Sequence, residues 1–214
     1  VDLRRFDSAR WPEVKKTALR RELGISQSET VILFVGRVTR DKGIRELLEA
    51  FDILVREGYD IALLLIGPLD TELGGATGFG AEKITKLPQV RYVGYTDCPE
   101  RYMAISDILC LPSYREGFGT VAIEAAAMGV PTVGTNIYGL SDAVVHGETG
   151  LLVPPRNVKQ LASALRRLLV DGDMRAGMGI SARQRASALF NADKVNKHVA
   201  DEYCALLRGK MILK

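Results

Sequence analysis

Three stretches carry side chains able to do chemistry, and each follows a short apolar run. The first is Gly36-Arg37-Val38-Thr39-Arg40-Asp41-Lys42-Gly43, where cations alternate with glycines that let backbone approach a ligand closely. An Arg forks onto phosphate oxygens, a Lys supplies a compact charge, and the start of a helix near Ile44 adds positive partial charge. Two readings stay open for this stretch. One is a diphosphate clamp, each charge-assisted bond contributing about 1.5–3 kcal/mol; the other is a solvated basic loop.

The second stretch, Pro112 to Ala125, is the sharper signal. Gly117 and Gly119 interrupt the strand exit, so the amides of Gly119, Thr120 and Val121 come at a helix start, where N–H groups lack intrahelical partners and suit an anion. Glu124 follows Thr120 by about one turn, among Val, Ala, Ile and Met. A carboxylate in such surroundings needs a partner: the hydroxyls of a bound ribose, a structural ion pair, or an exposed seat on the helix. Glu116, in the loop, is able to accept from a sugar or act as a base; a lone loop Glu is also commonly just solvated.

The third stretch runs from Gly134 through Asp142 to His146-Gly147-Glu148-Thr149-Gly150. No Cys or His lies near enough to His146 for a metal site, and no serine nucleophile elbow is present, so a turn histidine is the expectation. Asp171-Gly172-Asp173 resembles a metal loop in isolation but falls between two helical stretches, where helix capping is expected.

Positioning these loops requires a scaffold, and six β-prone runs supply it: Val31–Val35, Ile61–Ile66, Val90–Val93, Ile108–Leu111, Thr132–Val133 and Leu151–Val153. Each is apolar at alternating positions of both parities, the mark of parallel strands covered on both faces. Helical spacing separates them, as in Ile44, Leu47, Leu48, Phe51 and Leu54. Further helices are expected at Glu13–Leu23, Ala81–Lys86, Glu100–Ile105, Thr120–Met128, Val158–Val170, Asp173–Leu189 and Asp193–Leu207. The expected fold is therefore α/β, a doubly wound six-stranded parallel sheet of Rossmann-like type. Ligands bind such sheets at the carboxyl ends of the strands, where the three stretches fall. The glycine-rich Pro68–Gly80 is expected to be a mobile loop on that same edge.

Composition narrows the classes. The 214 residues are 47% apolar, which argues against disorder, and 29 Lys and Arg against 26 Asp and Glu leave +3, too near balance to imply a nucleic-acid partner. The longest apolar run, Ile61–Ile66, is far short of the roughly 18–20 residues that span a bilayer. Cys98, Cys110 and Cys204 have no metal-ligand spacing and cannot all pair with one another, so a reducing cytoplasm is the expected setting. Val1 in place of Met, with no secretory signal after it, raises the expectation of a fragment. The basic excess belongs to the tail, where Arg208, Lys210 and Lys214 invite either peripheral contact with an anionic membrane or plain solvation.

Gly36-Arg37 with Lys42-Gly43, the Glu116-Gly117-Phe118-Gly119 … Glu124 pair spaced Glu-x7-Glu, and Ala-Met-Gly-Val-Pro-Thr-Val-Gly ending at Gly134 together resemble a known family. It is the carboxyl-terminal domain of the family 4 retaining glycosyltransferases, of glycosyl transferases group 1, and the resemblance covers nearly the whole chain. It implies one half of a two-domain GT-B enzyme, with residues 1–24 leading in from a missing N-terminal acceptor domain, 25–190 forming the nucleotide-sugar domain, and 191–214 a helix and basic tail. It also implies that Arg37 and Lys42 hold the donor diphosphate, Glu124 the ribose and Glu116 the transferred sugar, with Gly36 and Phe118, Gly119, Thr120 and Val121 beside them. Tyr92 to Gly94 would flank the base; after Gly67 the chain departs from the family, continuing Pro68-Leu69-Asp70 where a second glycine is common.

The implied reaction transfers a hexose from a UDP- or GDP-sugar to a saccharide or lipid-linked acceptor, in polysaccharide or glycolipid synthesis, with retained anomeric configuration. Preplaced cations and amides meet the growing phosphate charge, so no metal and no cofactor are expected, the nucleotide sugar being a substrate. The fragment alone is expected to be inactive and to bind nucleotide weakly, at about −4 to −5.5 kcal/mol. Alternatives are half of a sugar-nucleotide 2-epimerase or a non-catalytic nucleotide-sugar module. A nicotinamide site and a P-loop are disfavoured, since neither glycine motif follows the first strand.

Overall fold

The computed structural model describes residues 1–69 and 87–212, with side chains up to residue 207. The expected helix Ala81–Lys86, the expected loop beyond Leu69, and the side chains of Arg208, Lys210 and Lys214 lie outside the described residues.

Strands β1 (Thr30–Val35), β2 (Ile61–Ile66), β3 (Val90–Gly94), β4 (Ile108–Leu111), β5 (Thr132–Thr135) and β6 (Gly150–Val153) form a six-stranded parallel sheet in the order β3-β2-β1-β4-β5-β6 among the described residues. β1 lies against β2 from Thr30–Ile61 to Val35–Ile66, and against β4 through Ile32–Ile108 and Leu33–Leu109. Leu63, Leu64 and Leu65 of β2 are fully enclosed, each contributing roughly 1.5–3 kcal/mol relative to exposure.

The chain crosses leftward from β1 through helix α2 (Ile44–Arg56) to β2, and rightward from β4 through a helix at Thr120–Ala127 to β5. Right-handed crossovers then place these two helices on opposite faces. α2 meets a helix at Val158–Val170, and the Thr120–Ala127 helix meets one at Gly172–Leu189. Among the described residues the α-helices are, in chain order, α1 (Glu13–Glu22), α2, α3 (Pro99–Met103), α4 (Thr120–Ala127), α5 (Leu140–Ala143), α6 (Val158–Val170), α7 (Gly172–Leu189) and α8 (Ala192–Ile212). Asn157 caps α6 by accepting from the Gln160 amide at 3.0 Å, and Asp171 caps α7 by accepting from Met174 at 2.8 Å, as expected of that segment.

Two features differ from expectation. β3 is an edge strand buried only at Val90; Tyr92, two residues on and on the same face, is exposed, so coverage does not extend along the strand. α5 is a single turn, too short for periodicity to reveal. Val195, Val199, Tyr203 and Leu206 of α8 are exposed. No described helix is long and apolar enough to cross a membrane.

Candidate functional site

Strand order reverses between β1 and β4, so the two crossovers leave in opposite directions and a crevice opens at their carboxyl ends. A cleft of about 330 Å³ lies there, floored by Phe34, Gly36 and Leu111.

The β1 exit forms one wall. Gly36 donates to Ile66 O at 2.9 Å, and a Cβ on Gly67 would fall 1.9 Å from Gly36 O, so the exits of β1 and β2 meet backbone to backbone. Beyond them a tight turn at Arg40–Lys42 ends at Gly43, whose φ of +68° leads into α2. Gly43 lies so close to the β4 exit that a Cβ would stand 2.1 Å from Pro112 O. That contact holds Lys42 beside the opposite wall.

The β4 exit forms the other wall. Lys42 Nζ donates to Glu116 Oε1 at 2.7 Å, and the Ser113 hydroxyl donates to the same oxygen at 2.7 Å. Ser113 is fully buried, and its carbonyl accepts from Thr135 Oγ1, which anchors the loop to β5. Thr120 and Val121, in the first turn of α4, line the cleft, and backbone amides in a first turn lack intrahelical partners. Phe118 is half exposed and meets Phe190 edge to face, with centroids 5.6 Å apart.

Of the residues expected at the site, Gly36, Lys42, Glu116, Phe118, Gly119, Thr120 and Val121 line this cleft. Arg37, Gly67, Tyr92 and Glu124 are not part of its lining. Arg37 is half exposed, with Nη2 3.6 Å from Asp41 Oδ2. Burial alone would raise the Asp41 carboxyl, yet the Thr39 hydroxyl, Arg37 and Lys42 hold it below its ordinary value. Tyr92 donates its hydroxyl to Gly67 O at 3.1 Å.

Glu124 is partly buried on α4, and burial pushes its carboxyl up; Arg5 and the Val1 amine oppose this, and Glu100 adds to it. The nearby Arg5 guanidinium is bonded to Glu100 Oε2 at 3.0 Å.

Ser113 falls within the Pro112–Ala125 stretch, yet spacing alone gives it no role; its place directly after β4 is the available signal. His146 is a turn residue whose Nδ1 accepts from the Leu152 amide at 2.9 Å. Among the described residues no group of three or more His, Cys, Asp or Glu side chains is placed to hold a metal ion.

A family model described as glycosyl transferases group 1 matches residues 15–185. The chain is 35% identical over 178 residues to the capsular polysaccharide biosynthesis glycosyltransferase CapM of Staphylococcus aureus, covering 83% of this chain and 47% of that protein. Among solved structures, sucrose-phosphate synthase of Thermosynechococcus elongatus superposes with a TM-score of 0.83 at 32% identity, over 98% of this chain and 51% of the other. Anabaena Alr3699/HepE in complex with UDP-glucose shares the fold, with a TM-score of 0.84 at 24% identity over 96% of this chain and 56% of its own. The chain spans about half the length of CapM and of sucrose-phosphate synthase.

Proposed function

The chain belongs to the glycosyl transferases group 1 family, and from that membership we propose that it is the donor-binding, carboxyl-terminal half of a retaining GT-B hexosyltransferase. The donor is a nucleotide-diphosphate sugar, and the acceptor site belongs to an N-terminal domain across the cleft. HepE, with the same fold, is a protein solved with UDP-glucose. The observation that carries the reading is the cleft itself: an ammonium, a carboxylate and the first turn of a helix meet at the reversal point of the sheet.

A lysine ammonium has three protons. One is committed to Glu116, leaving two for phosphate oxygens of a donor seated against α4. The Thr120 and Val121 amides add partial positive charge on the same side. Glu116 Oε1 takes bonds from both Lys42 and Ser113, which leaves Oε2 to accept from a sugar hydroxyl.

As the bond from the anomeric carbon to the diphosphate breaks, its electron pair stays on the leaving oxygen, and the ammonium and amides stabilise that charge without reorganising. The acceptor oxygen bonds to the same face of the sugar and passes its proton to the departing phosphate. Glu124, one turn along α4, is assigned the ribose hydroxyls. They would supply donors to a carboxylate that has lost much of its hydration.

The test is to incubate the full-length protein with a panel of nucleotide sugars, with and without acceptor mixtures. One donor should be consumed and should protect against heat. Consumption of none, with no protection by any, would sink the reading.

A further inference from the structure

Tyr114 sits between Ser113 and Glu116 on the loop leaving β4, and three separate segments hold it. Its amide donates to Asp41 O at 2.8 Å, in the turn that carries Lys42. Its hydroxyl donates to Glu46 Oε1 at 2.7 Å, in the first turn of α2. The Arg156 guanidinium, from the loop after β6, lies over its ring 4.5 Å from the centroid. Arg156 is the non-glycine residue with a left-handed backbone among the described residues, at φ +60°.

Glu46 gives this arrangement its meaning. It is 8% exposed on a helix whose other buried positions are Ile, Leu, Ala and Phe. Its Oε2 has no hydrogen-bond partner. A buried carboxylate with one oxygen unsatisfied is a poor way to fill a buried position, where an aliphatic side chain would do better. What this carboxylate achieves is one directed bond, to the Tyr114 hydroxyl.

That bond and the amide bond to Asp41 reach the chain before and after Lys42, the cation of the cleft's central contact. Lys42 is the residue after Asp41, and Glu116 is two residues after Tyr114. Tyr114 therefore ties the β4-exit loop to the chain on both sides of Lys42, next to the 2.7 Å Lys42–Glu116 pair.

We propose that Tyr114 is a positioning residue for glycosyl transfer: its bond to Glu46 sets the placement of the β4-exit loop, and so aims the Lys42 ammonium and the Glu116 carboxylate at the donor. The proposal rests on the donor-site reading above. Charge stabilisation by preplaced groups depends on their being held in place before the reaction, and a misplacement of about 1 Å costs on the order of a hundredfold.

The test uses the full-length protein with its own donor. Y114F keeps the ring under Arg156 and removes only the bond to Glu46. It should lower kcat about ten- to a hundredfold while donor KM stays within about threefold. E46Q keeps an acceptor oxygen for the tyrosine hydroxyl, and should retain kcat within about threefold. Y114F/E46L removes the orphaned carboxylate together with its lost donor, so it should recover the melting temperature without recovering kcat. Should Y114F fold poorly, this double variant carries the kinetic test. Wild-type kcat in Y114F or in the double variant, or an E46Q as slow as Y114F, overturns the positioning role. A wild type inert toward every nucleotide sugar sinks the donor reading and this inference with it; an active wild type matched by Y114F sinks the inference alone.

Discussion

Replacing Gly43 by alanine measures how closely the two walls of the cleft must meet. The added Cβ would lie 2.1 Å from Pro112 O and 2.7 Å from its carbonyl carbon. An ordinary carbon–oxygen contact is about 3.3 Å or more, so the walls must part by roughly 1 Å. The backbone φ of +68° adds a torsional cost of roughly 1–2 kcal/mol for an L-residue. Gly58 separates the two effects, since its φ is +88° and nothing lies within 4 Å of a Cβ there. G58A should lower Tm by roughly 2–8 °C, from 1–2 kcal/mol at about 2–4 °C per kcal/mol for a domain of this size. G43A should fall further than G58A and should also lose turnover by about a hundredfold, because Lys42 moves away from Glu116. Thermal melts followed by circular dichroism, with steady-state kinetics well below Tm, make the comparison. A G43A that melts with G58A and turns over like wild type would show that the β4 exit yields freely and that backbone contact does not set the cleft.

Lys42→Ala removes the ammonium 2.7 Å from Glu116 and should lower turnover about a hundredfold or more; Arg37→Ala, at a half-exposed side chain outside the cleft lining, should lose less. Steady-state kinetics rank the two, and a greater loss for Arg37 would reverse their assignment. Burial raises the Glu124 carboxyl, so the native state binds its proton more readily than the unfolded chain does. Stability therefore falls as pH rises above the ordinary carboxylate range. Glu124→Gln should melt higher than wild type at pH ~7, with the gain vanishing toward about pH 4, and should weaken donor binding in calorimetry. A variant that melts lower at neutral pH would mean the carboxylate is satisfied in the unliganded protein. Arg156→Gly releases a φ of +60°, worth roughly 1–2 kcal/mol, and forfeits a cation–π contact worth about 0.5–1 kcal/mol, so unfolding free energy should change by less than about 1.5 kcal/mol in denaturant titrations.

Much of the scaffold was legible in the residues themselves. The aliphatic runs at Val31, Ile61 and Ile108 marked strands because side chains alternate across a sheet, and the spacing from Ile44 to Leu54 marked a helix face. Gly36, Gly43 and Gly119 stood where local backbone demands break a strand or start a helix, so the cleft-forming loops could be found. β3 was misread because alternation cannot tell an edge strand from a central one; coverage depends on which neighbour arrives.

What tertiary structure alone decided is which loop residues face one another. The Lys42–Glu116 pair joins residues 74 apart, and Tyr114 reaches a carboxylate 68 residues away. Nothing in local spacing distinguishes Lys42, turned into the cleft, from Arg37, which faces Asp41 beside it. Both are cations in one glycine-bounded loop, and their directions follow from the turn at Arg40–Lys42 and from the backbone of Pro112 pressing on Gly43. Secondary structure is encoded over a few residues because its hydrogen bonds and side-chain periods are local. The aim of a charge is set by contacts between segments that meet only when the sheet has assembled.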